Sequence, residues 1–199
     1  ATFLQALQWG IKRGLFSNEA GQGSAAIAHS AAKTKEPVRE GTVAMLGPYI
    51  DTIIICTITG LCIIVTGVWH TPINGKLLNG SPLTAEAFAQ GLTFLGGYGR
   101  YIVTAAVVLF ATSTIISWSY YGEKAVEYLM GEKAIMPYRI LYVLFIFLGS
   151  VLSLEIVWNF GDFGISLMVI PNLIALIALS KLVKTSTKEY FSRDHIPYS

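Results

Sequence analysis

Apolar and polar residues do not alternate evenly along this chain; they separate into long apolar runs joined by polar connections. Residues 45–69, 101–121, 140–157 and 163–180 are nearly free of charge, and Asp51 and Glu155 are the charged residues inside them. Each run is close to the ~20 residues an α-helix needs to cross ~30 Å of hydrocarbon. The pattern predicts four transmembrane helices over those windows. Residues 1–13 read as the end of a preceding helix, 14–41 as a cytoplasmic loop with a short helix, and 181–199 as a cytoplasmic tail. The predicted class is all-α integral membrane, with 1–199 as a single membrane-domain fragment whose N-terminal part precedes Ala1.

Composition sharpens this picture. The 199 residues are 53% hydrophobic and 13% charged, where soluble domains run near ~25% charged. A free soluble enzyme is excluded on that ground. The net charge of +2 offers no field for nucleic acid, so the partner implied by composition is the lipid bilayer. Basic residues are unevenly spread. Lys12, Arg13, Lys33, Lys35 and Arg39 lie in 10–41, Lys76 and Arg100 in 70–100, Lys124, Lys133 and Arg139 in 122–139, none in 158–162, and Lys181, Lys184, Lys188 and Arg193 in the tail. That alternation follows the positive-inside rule and places both ends in the cytoplasm. Trp69, Trp158, Tyr98 and Tyr101 fall at segment ends, where aromatic rings favour the headgroup level.

Catalytic chemistry finds no footing. His29, His70 and His195 lie in separate connections, with no nucleophile or metal-ligand spacing around them. Cys56 and Cys62 are separated by about 9 Å of helical rise, too far for a disulfide. Gly21-Gln22-Gly23 lacks the third glycine and preceding strand of a phosphate loop. It reads as a turn, with Ser24 capping a helix over 25–35 that stops before Pro37, and with Asn18 and Glu19 free to latch the turn to the bundle. Thr84 reads as the N-cap of a short surface helix, and Asp162 as the N-cap of the last span. Asp51, just after Pro48, fits either a helix start or an ion-coupling role. Glu155 reads as interfacial, and Pro171-Asn172 predicts a kink.

The window 101–121 is the most informative. Phe110, Thr114, Ser117, Trp118 and Tyr121 recur at helical spacing and share one face. A charge-free helix with a stripe of hydroxyls and aromatics has two readings. Its hydroxyl oxygens with a free carbonyl are hard ligands for a small cation such as Na⁺. Alternatively, Ser and Thr bond their own i−4 carbonyls or a neighbouring helix.

Three stretches carry a resemblance: Gly10-Ile-Lys-Arg-Gly-Leu-Phe-Ser-Asn-Glu-Ala-Gly-Gln-Gly-Ser24 with Ala-His-Ser-Ala-Ala-Lys-Thr34, then Met45-Leu-Gly-Pro-Tyr-Ile-Asp-Thr52, and Ser113-Thr-Ile-Ile-Ser-Trp-Ser-Tyr-Tyr-Gly-Glu123. The chain resembles the alanine/glycine:cation symporter family. The resemblance implies a LeuT-like (amino acid–polyamine–organocation) fold of inverted repeats with binding at the midplane. This chain would begin at the end of the sixth helix and supply the seventh to tenth, the N-terminal half being missing. It also implies a multi-pass protein of a prokaryotic plasma membrane that imports alanine or glycine with Na⁺, or with H⁺ in its place, and no other cofactor. Residue by residue, Ser113 and Thr114 would give hydroxyls and Phe110 its backbone carbonyl to a Na⁺. Thr114 and Trp118 would face the amino acid, the bulk of Trp118 suiting a small pocket. Asn18 and Glu19 match the motif with no ligand role attached. The alternative is a non-transporting four-helix membrane module that assembles with a partner subunit.

Overall fold

The computed structural model describes residues 3–19, 21–73 and 75–193, and its regular elements are helices. In chain order these are α1 (Phe3–Ser17), α2 (Ser24–His29), α3 (Pro37–Thr66), α4 (Ser81–Gly91), α5 (Gly99–Met130), α6 (Ile135–Val151) and α7 (Leu154–Phe191). Among the described residues four stretches are long and apolar enough to cross a membrane: Pro37–Thr66, Gly99–Met130, Glu132–Val151 and Leu154–Phe191. Their apolar side chains are mostly exposed, Val65 at 83% and Ile177 at 74% for example. In water that would be untenable, whereas lipid is as apolar as the side chains themselves.

The helices overrun the charge-free windows. Lack of charge locates hydrocarbon, while helical hydrogen bonding continues into the headgroup region. α3 starts at Pro37, which suits a first turn because its missing N–H has no partner to lose there. Pro48 removes a donor further along, and the ladder re-forms as wider π turns over Tyr49–Cys56. Asp51 occupies the first turn of that π stretch.

Several expected helix ends move. The break after α6 falls at Leu152 and Ser153, both extended, with Ser153 as the N-cap of α7. Residues 158–162 are therefore helical, and Asp162 is an interior residue rather than a cap. Glu155 takes the first turn of α7, where the helix dipole favours a carboxylate. Pro171 lies inside the same helix. In α4 the cap position belongs to Gly80, with Pro82 in the first turn, so Thr84 is already helical. Gly23 holds the cap position of α2 and Ser24 its first residue, so Ser24 does not cap; the helix also ends at His29, short of 35.

The chain divides into two compact units, residues 1–47 with 121–199, and residues 48–120. In the second unit α4 packs against α3. Gly91 permits the approach, since a Cβ there would sit 3.1 Å from Cys62 Sγ, and that thiol donates to the Ala87 carbonyl at 3.4 Å. Val68 and Ala87 are fully buried at this contact.

In the first unit α7 is the spine. Near its start Asp162 receives Lys12 at 2.6 Å and Arg13 at 3.3 Å. The Arg13 guanidinium also lies 3.9 Å from the Trp158 ring, against which Phe16 packs edge-on. Half-way along, Gly23 meets Asn172: a Cβ on Gly23 would lie 2.9 Å from Asn172 Oδ1. At its far end Arg193 pairs with Glu36. From 162 to 193 a helix rises roughly 45 Å at 1.5 Å per residue. These contacts set residues 13–36 beside α7 from Asp162 to Arg193. Lys12 and Arg13 belong to one end of α7 and Lys35 to the other. α6 joins α5 in this unit through Arg139, which makes two bonds to the Glu123 carboxylate at 2.8 and 2.9 Å.

Candidate ion and substrate site

The hydroxyl stripe lies on α5, an unbroken helix of 32 residues. The absence of charge over 101–121 leaves serine and threonine as the polar groups of this window apart from its aromatic rings. Most of those hydroxyls turn back on the helix. Thr112 donates to the Val108 carbonyl at 2.8 Å, Ser113 to Phe110 at 3.0 Å, and Ser117 to Ser113 at 2.9 Å. Such back-bonding satisfies a hydroxyl that lipid or protein would otherwise strand. Phe110, Ser113 and Thr114 are exposed, while Ser117, Trp118 and Tyr121 are half-buried. The face predicted from spacing thus runs from open to enclosed along its length.

Of the residues singled out from sequence, the structure joins Ser113 and the Phe110 carbonyl directly. Their oxygens lie 3.0 Å apart; in this unbroken helix the Phe110 carbonyl also accepts an N–H from the next turn, so its second lone pair is the one Ser113 occupies. A cation placed there would take both oxygens in exchange for the hydrogen bond between them. Thr114 is adjacent on the helix and Trp118 one turn further. Asp51 and Glu155 lie on other helices. Among the described residues no three His, Cys, Asp or Glu side chains gather as a metal site.

A second polar group escaped the sequence reading. α1 ends where Asn18 Nδ2 donates to the Gly14 carbonyl at 2.8 Å. Glu19 (φ 52°), Gly21 (75°) and Gly23 (82°) then turn left-handed before α2 begins. Glu19 is the one described non-glycine residue with positive φ, a conformation costing roughly 1–2 kcal/mol. Gln22 braces the turn by donating from Nε2 to the Leu15 carbonyl at 3.2 Å and from its backbone N–H to the Glu19 carbonyl at 3.2 Å. Gln22 is 4% and Ser24 1% exposed. Glu19 Oε2, Gln22 Oε1 and Ser24 Oγ are sealed from solvent without a hydrogen-bond partner among the described residues. The available signal was the spacing of polar residues between glycines in an otherwise helical stretch, which the loop assignment hid.

Four apolar spanning helices and an uncharged hydroxyl stripe within one of them define a multi-pass integral membrane protein. A model of the sodium:alanine symporter family matches residues 1–196, and the chain belongs to that family. It is 50% identical over 185 residues to the sodium/alanine symporter AgcS of Methanococcus maripaludis, covering 93% of this chain and 40% of that protein. An uncharacterized transporter of Haemophilus influenzae is 46% identical over 192 residues, 96% of this chain and 41% of the relative. The probable sodium/glutamine symporter GlnT of Bacillus subtilis is 38% identical over 186 residues, 93% of this chain and 37% of the relative. The chain therefore spans about two-fifths of the length of these relatives.

Proposed function

We propose that this chain is part of a sodium-coupled symporter that imports alanine or glycine, built on a LeuT-like inverted-repeat fold with the remaining ion ligands supplied by sequence outside these residues. The observation that carries the reading is the match of residues 1–196 to the sodium:alanine symporter family; Ser113 Oγ, Thr114 and the Phe110 carbonyl on the charge-free helix α5 are the oxygen donors it would use. Hard oxygen donors without a fixed charge suit Na⁺. The match to AgcS, a sodium/alanine symporter, supports the ion and the substrate. On this reading Ser113, Thr114 and the Phe110 carbonyl hold Na⁺, and Thr114 and Trp118 face the amino acid. Na⁺ entering down its gradient stabilises the substrate-ready arrangement, and the membrane potential adds ~2.3 kcal/mol per charge per 100 mV. The alternation of access then follows from rocking of one helix bundle against the other.

The test is uptake of labelled alanine by the full-length protein in vesicles, with Na⁺ replaced by choline at fixed pH. Uptake should follow Na⁺, and Thr114→Ala should raise the half-saturating Na⁺ concentration by roughly fivefold, the equivalent of the ~1 kcal/mol of one hydroxyl contact. Uptake that persists unchanged in choline but collapses with the proton gradient would replace Na⁺ by H⁺ as coupling ion. An unaltered Na⁺ dependence in Thr114→Ala would remove that residue from the site.

A further inference from the structure

The turn between α1 and α2 carries an electrostatic imbalance that the α5 site leaves unexplained. Three side-chain oxygens from a six-residue stretch, Glu19 Oε2, Gln22 Oε1 and Ser24 Oγ, are sealed from solvent and accept no hydrogen bond among the described residues. A buried polar atom without a partner costs ~1–3 kcal/mol, and a charged one more. Carboxylates buried at membrane depth are paired or belong to ion pathways. The nearest basic residues along the chain, Lys12 and Arg13, are committed to Asp162, and no described basic side chain pairs with Glu19.

The turn is also held in place. Gly23 lies so close to Asn172 of α7 that a Cβ would meet Oδ1 at 2.9 Å, and Gln22 is tied to Leu15 through Nε2, which leaves its oxygen as the unused end of the amide. The donor set is one carboxylate, one amide oxygen and one hydroxyl. It contains no nitrogen or sulfur, so it suits a hard cation. Its single negative charge matches a monovalent ion, whereas divalent calcium sites gather several carboxylates. Sealed oxygens favour a bare ion, since the ammonium of an amino acid would bring its carbon skeleton with it.

We propose that the turn between α1 and α2 is a cation site in which Glu19, Gln22 and Ser24 hold Na⁺. The proposal rests on the Na⁺-coupled reading above and adds ion ligands beyond the α5 oxygens.

Thermal unfolding of the purified full-length protein, titrated with NaCl against choline chloride without amino acid, reads the site directly. Wild type should unfold at a higher temperature as Na⁺ rises. Glu19→Gln keeps the shape and removes the charge; it should raise the half-saturating Na⁺ concentration at least about tenfold, and Ser24→Ala about threefold. Both shifts should recur in Na⁺-dependent uptake. If wild-type uptake follows Na⁺ while both variants keep the wild-type half-saturating Na⁺ in the melt, this site is overturned and the symporter reading stands. If wild-type uptake ignores Na⁺, the symporter reading fails first and this site falls with it. A wild-type melt indifferent to Na⁺ also overturns the site.

Discussion

A serine or threonine in a membrane helix must choose between its own backbone and an outside ligand, and neighbouring residues here have different options. Thr112 and Ser117 are bonded to carbonyls one turn back. Ser113 is bonded to the one carbonyl that the ion reading also needs, so cation binding there exchanges one interaction for another and the net gain is small. Thr114 has the greater leverage, which is why it carries the uptake test. On the proposed reading Trp118, half-buried one turn along, faces the amino acid, and replacing it by Ala would remove a ring that limits the pocket. Trp118→Ala should raise glutamine transport relative to alanine by roughly tenfold, on the scale of a few methylene contacts in a pocket; competition of each amino acid against labelled alanine measures it. An unchanged ratio would place the ring outside the pocket.

At the scale of elements, the informative contact is the one between α1 and α7. An aspartate within a spanning helix is tolerated because two cations reach it: Lys12 at 2.6 Å and Arg13 at 3.3 Å. Asp162→Asn should lower the stability of the full-length protein by about 1–3 kcal/mol, because it leaves partly enclosed cations unpaired. Adding Lys12→Gln and Arg13→Gln should recover part of the loss in a thermal melt. If the triple variant is less stable than Asp162→Asn alone, the cluster is not what joins the helices. The sequence exposed all three charges but not their partnership. Arg13 and Asp162 are 149 positions apart, and nothing in periodicity links residues at that distance. Asn-Phe-Gly-Asp at 159–162 resembles a turn, yet the helix runs through it.

At the scale of the molecule, residues 13–36 follow α7 from Asp162 to Arg193. The two ends of that stretch should lie on opposite faces of the membrane. In an otherwise cysteine-free full-length protein, Gln8→Cys and Lys35→Cys should react with a membrane-impermeant maleimide from opposite sides. Labelling of both from one side would return 14–41 to a surface loop. Counting basic residues along the chain groups Lys12, Arg13 and Lys35 together, whereas Lys12 and Arg13 reach Asp162 and Glu36, next to Lys35, reaches Arg193. The turn at Glu19, Gly21 and Gly23 interrupts the helix and also buries its polar side chains against α7.

By itself the sequence determined that the protein is helical and membrane-embedded, because charge-free runs of spanning length admit few other solutions. It also determined the face on which Phe110, Thr114 and Trp118 align, since 3.6-residue periodicity is local. The tertiary structure alone decided where the helices break, which cation meets Asp162, and which oxygens are left without donors. Those outcomes depend on contacts between residues distant in sequence, and on whether a polar group finds a partner when water is excluded. Composition counts polar groups; only packing says which of them are satisfied.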